Sequence, residues 1–313
     1  MRKVTNLITD PHWNMAHDEF LLDQLEGTIF CLWQNAPAVI IGLNQNAYAE
    51  VNLPYLDNHD IALARRVTGG GAVYHDLGNL NYSIAGPSRE VEQHYDTVAA
   101  ALRQLGVPAE RSGRNDILVE GRKCSGYAKR LSRDRMMIHG TLMWDVDLEA
   151  LTAALSAPGG KLAAAGIASV RSRVANLKDY LPQFPHLDAF RTALQDLLSQ
   201  GDDEVILSPA QIDQINQLAD NKFRQWNWIY GHSPEAHFAA KEKFPCGTIE
   251  VRYSLKHGLL DNLQFQGDFL GNRPAEELAN RLQGKPLDAI KKESVENYFD
   301  GLSSEDLYQL FLQ

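Results

Sequence analysis

Cysteine is scarce in this chain, with Cys31, Cys124 and Cys246 the only three in 313 residues. They are widely separated and show no metal-ligand spacing, and an odd count argues against a disulfide framework, so reduced thiols are expected. No apolar run comes near the ~18 residues that a membrane helix requires. The first ten residues, MRKVTNLITD, hold no long apolar stretch and meet an acid at Asp10. Neither export nor organelle import is therefore expected, and a cytoplasmic location is. Surplus positive charge is missing too. A net charge of -10 disfavours a nucleic-acid partner. The cluster Lys129, Arg130, Arg133 and Arg135 reads equally well as a solvated hairpin arm or as a patch for an acidic protein. There is no repeat and no low-complexity segment. With 44% hydrophobic residues the chain can bury a large core, enough for one large domain and a smaller one.

What the chain does have is a glycine-rich loop between charged and strand-like flanks. Residues 65 to 87 read RRVTGGGAVYHDLGNLNYSIAGP. Gly69, Gly70 and Gly71 carry no Cβ, so a ligand can touch bare backbone there and several N–H groups can converge on one anion. Arg65 and Arg66 bring fixed charge to the same turn. An oxyanion or phosphate is the natural guest. Neither the Gly-x4-Gly-Lys-Ser/Thr pattern nor Gly-x-Gly-x-x-Gly fits this loop, so a nucleotide would be held by a different architecture.

This loop resembles the signature of the lipoate-protein ligase A family, and further motifs support the resemblance in the right order. Upstream stand Trp33, the run Ile40-Ile41-Gly42-Leu43-Asn44-Gln45-Asn46, and Glu50-Val51-Asn52. Downstream come Ser112-Gly113-Arg114-Asn115-Asp116, Gly121-Arg122-Lys123-Cys124-Ser125-Gly126-Tyr127-Ala128, His139-Gly140-Thr141-Leu142, and the segment from Ser169 to Leu177. Two departures are Leu43, where many relatives carry arginine, and Thr68, where serine is common. The tail from about residue 243 matches more loosely, through Gly247-Thr248-Ile249-Glu250-Val251.

The resemblance implies an enzyme that activates lipoate with ATP to lipoyl-AMP and transfers the lipoyl group to a lysine of a carrier domain. The implied carriers are the E2 lipoyl domains of 2-oxoacid dehydrogenases and the glycine cleavage H protein, and the implied state is a monomer. It makes Lys123 the catalytic residue, bridging the lipoyl carbonyl oxygen and the α-phosphate. Arg66, Gly71, Ala72, Val73 and Tyr74, with Lys123, are the implied ATP contacts. Met15, Trp33, Gly70, His75 and Lys123 are the implied lipoate contacts. Asp116 is the candidate for the Mg²⁺ that accompanies ATP, since magnesium takes only one or two protein carboxylates, although an Asn-Asp turn cap is an equal reading. Cations and backbone donors suit this chemistry, because a carboxylate attacking an α-phosphate must approach a polyanion. His75 and His139 titrate in the range of an acid or base. Adenylation needs no general base, however, since the attacking carboxylate is already ionised, and both are read as hydrogen-bonding struts.

Periodicity predicts mixed α and β structure throughout. Residues 14 to 25 read as a helix, and 29–33 and 38–42 as strands joined in a hairpin at Asn35-Ala36-Pro37. An amphipathic helix is expected over 90–105 with Gly106 as its cap. Glu120-Gly121 reads as a hairpin turn that puts Lys123 on the returning strand. Met136 to Trp144 is β-like, helices are expected at 147–155, 187–199, 209–219 and 275–283, and strands flank Lys256-His257-Gly258. The resulting expectation is an α/β (α+β) fold like class II synthetases and biotin ligases, an antiparallel-leaning mixed sheet with flanking helices. A catalytic domain is expected over 1–242, with a small α/β accessory domain over 243–313.

Two rival functions are a same-fold octanoyltransferase, which works through a cysteine thioester without ATP, and a non-catalytic lipoate-binding relative. The first needs a reactive thiolate. Its cysteine would fall near Gly166 to Arg171, where this chain has none. Cys124 is expected to face packing, because neighbours on a strand point to opposite sides and Lys123 is assigned to the substrate. The second rival has no need of Lys123, Arg66 and the full glycine loop.

Overall fold

The structure, a computed structural model, describes residues 1–113, 115–155, 172–199 and 204–313. These group into two compact units. The first takes Met1–Leu43, Asp60–Leu155 and the later described residues up to Gln225, and the second takes Asn44–His59 and Trp226–Gln313.

Among the described residues the first unit holds ten strands: β1 (Arg2–Thr5), β2 (Ile29–Trp33), β3 (Ala38–Ile41), β4 (Ala62–Arg65), β5 (Val73–His75), β6 (Asn79–Pro87), β7 (Ala109–Ser112), β8 (Asp116–Val119), β9 (Arg122–Ser132) and β10 (Arg135–Met143). Seven of them form one sheet in the order β1-β2-β6-β10-β9-β8-β7. Only β1 and β2 run parallel in it, so the expected antiparallel-leaning mixed sheet is what the chain builds. The other three form a second sheet, β4-β3-β5.

The hairpin expected around Asn35-Ala36-Pro37 is a correction. β2 and β3 lie in different sheets. Every residue of both strands is buried, and a strand with no polar alternation needs cover on both faces. The intervening turn is tied elsewhere: Ala36 N–H donates to Thr9 O at 2.8 Å, and the Asn35 side chain bonds Asn14 and His75. The helix expected over 90–105 is also two helices, Ser88–Glu92 and Thr97–Gln104. Tight turns interrupt it, His94 N–H to Val91 O and Thr97 N–H to His94 O, and they set Tyr95 against Tyr127 with centroids 6.1 Å apart. Gly106, at φ 100°, closes the second helix as expected.

Helix α1 (Pro11–Gln24) begins three residues before its expected start. Asp10 caps it, accepting from His12 N and Trp13 N, and Pro11 occupies the first turn, where its missing donor is harmless. The helix is buried nearly all round, so Asn14, His17 and Asp18 are inside as well as Met15, Phe20, Leu21 and Leu22. Beyond it, Phe30, Leu32, Leu80, Ile84, Val98, Leu102, Trp144, Phe190 and Leu194 form one continuous apolar core between the large sheet and the helices Thr97–Gln104 and Leu187–Ser199.

In the second unit β11 (Ala236–Phe244), β12 (Gly247–Lys256) and β13 (Leu259–Gly267) make an antiparallel meander. His257 and Gly258 turn β12 into β13 with φ of 53° and 72°. The helices Ala275–Leu282 and Ser304–Phe311 belong to the same unit. Among the described residues no helix is long and apolar enough to cross a membrane.

Phe190 is fully buried and stacked on Trp144 at 4.9 Å, so its loss leaves a cavity under the large sheet. Phe190→Ala is expected to destabilise the first unit by about 3–5 kcal/mol. A denaturant midpoint unchanged from wild type would show that the site collapses around the gap.

Candidate functional site

A β-bulge sets the direction of Lys123. Glu120 and Gly121, with φ of 51° and 76°, form the two-residue turn between β8 and β9, the geometry in which both central residues must be left-handed. The register then slips: Leu118 pairs with Lys123 but Ile117 pairs with Ser125, so Cys124 is the extra residue. Its side chain is fully buried, and Sγ–H donates to Ile117 O at 3.4 Å. Burial pushes the thiol up to about 12. Lys123 is held by its backbone, its N–H donating to Arg173 O at 2.8 Å and its carbonyl accepting from Ala175 N–H at 2.9 Å. Nζ reaches Asp116 Oδ1 at 2.8 Å. Gly126 makes room for it, since a Cβ there would lie 2.8 Å from both Cε and Nζ.

The glycine loop is braced by buried arginine. Arg66 donates from Nη2 to the carbonyls of Gly69 and Gly71, both at 2.8 Å, and from Nη1 to Ile40 O at 3.0 Å. Its Nε reaches Thr68 Oγ1 at 3.0 Å. Fully buried Arg65 donates from Nη1 to the carbonyls of Gly42 and Leu43, each at 3.0 Å. Burial brings both guanidinium groups down to about 10, and they remain cations at neutral pH. Gly42 permits the close packing: a Cβ there would lie 2.1 Å from Gly70 O. Gly70 itself sits at φ 97°, whereas Gly71 has open space where a Cβ would go.

From Thr68 a buried relay runs across the unit. Thr68 Oγ1 lies 2.7 Å from His139 Nε2, and His139 Nδ1 lies 2.7 Å from Asp18 Oδ2. Asp18 Oδ1 accepts from Ser83 Oγ at 2.5 Å, and Ser83 Oγ accepts from Trp33 Nε1 at 2.9 Å. The expected strut role of His139 is thus what its two partners give it.

These elements enclose a cavity of about 160 Å³. One end is apolar, with Met15, Trp33 and Ile40, and the other carries Lys123, Arg66 and the glycine loop. Of the residues singled out in the sequence, Met15, Trp33, Arg66, Gly70, Gly71, Ala72, Val73, His75 and Lys123 all line it. Tyr74, whose implied contact is through its backbone, is not in the lining; its side chain is buried and it pairs with Val39 in the small sheet. Arg66 reaches the cavity while its guanidinium also braces the carbonyls of Gly69, Gly71 and Ile40. Asp116 stands behind Lys123 rather than in the lining. For magnesium the fit is weakened because Asp116 Oδ1 already faces the Lys123 ammonium, which would compete with a metal for that oxygen. Asn81, Asn115, Tyr127, Ala128 and Thr141 line the cavity without having been given a role, although Asn115, Tyr127, Ala128 and Thr141 stand in the motifs that carry the resemblance. Asn115 lay next to Asp116 in a quoted motif, but Asn81 sits in a strand whose pattern is ordinary. Gly166 to Arg171 lie outside the described residues.

Comparison with known proteins agrees with this geometry. Residues 10–199 match the family described as the lipoyl protein ligase A/B catalytic domain, and residues 233–311 match the bacterial lipoate protein ligase C-terminus. The chain is 36% identical to lipoate-protein ligase LplJ of Bacillus subtilis over 97% of each chain. Among solved structures it is similar to the bipartite lipoate protein ligase of Thermoplasma acidophilum, studied with its E2 lipoyl domain, at 29% identity and a TM-score of 0.68 over 74% of this chain and 96% of that one. It is also similar to a lipoate-protein ligase A bound with ATP, at 28% identity and a TM-score of 0.64 over 74% and 98%.

The loop separates two kinds of glycine. Gly71→Ala meets nothing within 4 Å, so stability is expected to stay within about 1 kcal/mol, while ATP affinity falls as the methyl holds phosphate off the backbone. Gly42→Ala is expected to lower the melting temperature as well, by driving the loop off its arginine. Calorimetric titration beside thermal melts checks both, and unchanged ATP affinity in Gly71→Ala would make the loop a mere turn.

Proposed function

The chain belongs to the lipoyl protein ligase A/B family, and from that premise we propose that it activates lipoate with ATP to lipoyl-AMP and then transfers the lipoyl group to a carrier lysine. The observation that carries this reading is the polarity of the cavity. Its apolar end, with Trp33 and Met15, suits a dithiolane-bearing chain, and its other end gathers a lysine and bare loop backbone.

In this reading the Lys123 ammonium stands between the lipoate carboxylate and the α-phosphate, where negative charge accumulates during attack. Asp116 orients it until substrate arrives. Backbone at Gly70, Gly71, Ala72 and Val73 lies against the nucleotide, with Gly70 also touching lipoate. Arg66 contributes charge from beneath the loop and fixes its shape. Arg130 donates to Val67 O at 3.1 Å and so helps hold the chain that enters the loop. Such preorganised donors are worth more than mobile ones, because they need no rearrangement as charge develops. Mg²⁺ accompanies ATP in solution, and no step is assigned to it at Asp116. Catalysis belongs to the first unit, and the C-terminal residues from 243 onward are accessory. Carriers are E2 lipoyl domains and the glycine cleavage H protein, modified by a cytoplasmic monomer.

The transferase reading is not favoured. Cys124 is buried with a thiol that resists ionisation, and burial also raises Cys31 and Cys246.

Lys123→Ala is expected to lower lipoate-dependent pyrophosphate release by about a hundredfold or more, the typical loss when one preorganised contact is removed. Its fold should survive, because the side chain is partly exposed. Near-normal release would remove Lys123 from the mechanism. Cys124→Ser is expected to retain most ATP-dependent lipoylation of an added carrier domain, read as a mass increase, with some loss of stability. An acyl-thioester trapped on Cys124, with loss of activity in the serine variant, would reverse the choice in favour of the transferase.

A further inference from the structure

Two buried donors at the Trp33 end of the cavity have no hydrogen-bond partner among the described residues. His75 is 3% exposed and Asn81 is 1% exposed, yet His75 Nε2 and Asn81 Nδ2 lack any hydrogen bond among the described residues. Both side chains line the cavity. His75 meets the Trp33 ring edge-on, with centroids 6.2 Å apart, and Asn81 is the direct cross-strand neighbour of Trp33.

A chain of asparagines sets which nitrogen of His75 carries the proton. Ile8 N–H donates to Asn6 Oδ1 at 2.9 Å, so it is the Asn6 amide NH₂ that meets Asn14 Oδ1, at 2.8 Å. Asn14 Nδ2 in turn faces the main-chain carbonyls of Ile8 and Gln34 and donates to Asn35 Oδ1 at 2.8 Å. That leaves Asn35 Nδ2 as the donor to His75 Nδ1, at 3.0 Å. Main-chain groups anchor the Asn6 and Asn14 amides, and Asn14 in turn fixes Asn35, so Nδ1 is an acceptor and the ring proton sits on Nε2. Burial, with Arg66 and His139 nearby, pushes His75 down to about 3, and the ring stays neutral at physiological pH. A neutral N–H is no special attraction for a carboxylate. Asn81 has its oxygen occupied by Asn79 Nδ2 at 2.8 Å, and its own NH₂ is the free group.

We propose that His75 and Asn81 form a two-donor subsite for the ring end of the acyl substrate, pairing with the dithiolane sulphurs of lipoate and so discriminating it from a saturated fatty acid of the same chain length. Asn6, Asn14 and Asn35 are positioning residues for it. The subsite rests on the ligase reading, which puts the carboxylate at Lys123. From there the far end of the chain runs along the sheet toward Trp33. Gly126, beside Lys123, bonds Thr141, Thr141 pairs with Asn81, and Asn81 with Trp33. That is a span of about 14 Å over three strand spacings. A disulfide sulphur is a weak acceptor, but a methyl-ended chain accepts nothing and leaves both donors unanswered in a water-poor slot.

The test uses the purified full chain with lipoate or octanoate as the acid, reading kcat/KM for pyrophosphate release and, separately, calorimetric affinity of each acid. The wild type is expected to prefer lipoate by about tenfold or more. His75→Phe keeps a ring of similar size without the donor, and Asn81→Val removes the other. Each should bring the preference toward parity mainly through weaker use of lipoate, while His75→Gln, which retains an N–H, should preserve most of it. Thermal melts exclude unfolding of the variants, and ¹⁵N shifts of the labelled His75 ring should show Nε2 protonated. A wild type indifferent to the two acids, a preference undiminished in both His75→Phe and Asn81→Val, or a proton on Nδ1 would overturn the subsite and leave the ligase reading intact. Failure of both acids to release pyrophosphate, with carrier mass unchanged, would instead sink the ligase reading and the subsite with it.

Discussion

Burial of the Arg66 guanidinium is the constraint around which the site is arranged. A cation taken out of water must meet hydrogen-bond acceptors, and here these are the carbonyls of Ile40, Gly69 and Gly71 with the hydroxyl of Thr68. With those carbonyls turned toward the arginine, Gly70, Gly71 and Ala72 line the cavity. The cost of leaving a buried donor unmet, about 1–3 kcal/mol each, is what keeps so glycine-rich a loop in one shape. Arg65 does the same for the turn at Gly42 and Leu43, and the two packed turns leave no space for a side chain at position 42.

The same requirement explains the polar side of α1. Asn14 and Asp18 are inside because each serves a network that no water can reach. Asp18 ties the sheet residue Ser83 to His139, and through Thr68 to the arginine under the loop. Asn14 carries hydrogen bonds from the N-terminal segment to His75 by way of Asn35. The apolar end of the cavity and the loop end are therefore parts of one hydrogen-bonded body, which suits a reaction needing two anions aligned. His17, on the same helix, finds no such partner among the described residues. It stacks on Trp13 at 5.1 Å, and burial lowers it to about 4.

Lys123 depends on a smaller device. A regular strand would pair Cys124 with Ile117, but the bulge leaves Cys124 unpaired and buried in the core, so Ser125 takes up the pairing with Ile117 that Cys124 would have had. The lysine is left on the cavity side with an acid behind it and a glycine beside it. Neither neighbour reacts, and both determine where the ammonium can stand.

The sequence by itself determined the family, the glycine loop, the turn before Lys123 and most of the elements, because each is written in local chemistry: consecutive glycines, left-handed turn residues, and apolar periodicity matched to helix or strand. It also assembled nearly all the residues of the cavity lining, since these travel in short motifs. Only the tertiary structure decided which sheet β2 and β3 join, as fully apolar strands carry no mark of their partners. It decided that Arg66 is buried beneath the loop it braces, that Tyr74 is buried in the small sheet, and that the polar residues of α1 lie inside. It also brought Asn6, Asn14, Asn35 and Asn81 to His75 and Trp33. Those asparagines come from separate segments with no spacing in common, and a hydrogen bond between residues far apart in the chain leaves no periodicity in the sequence from which it could be read.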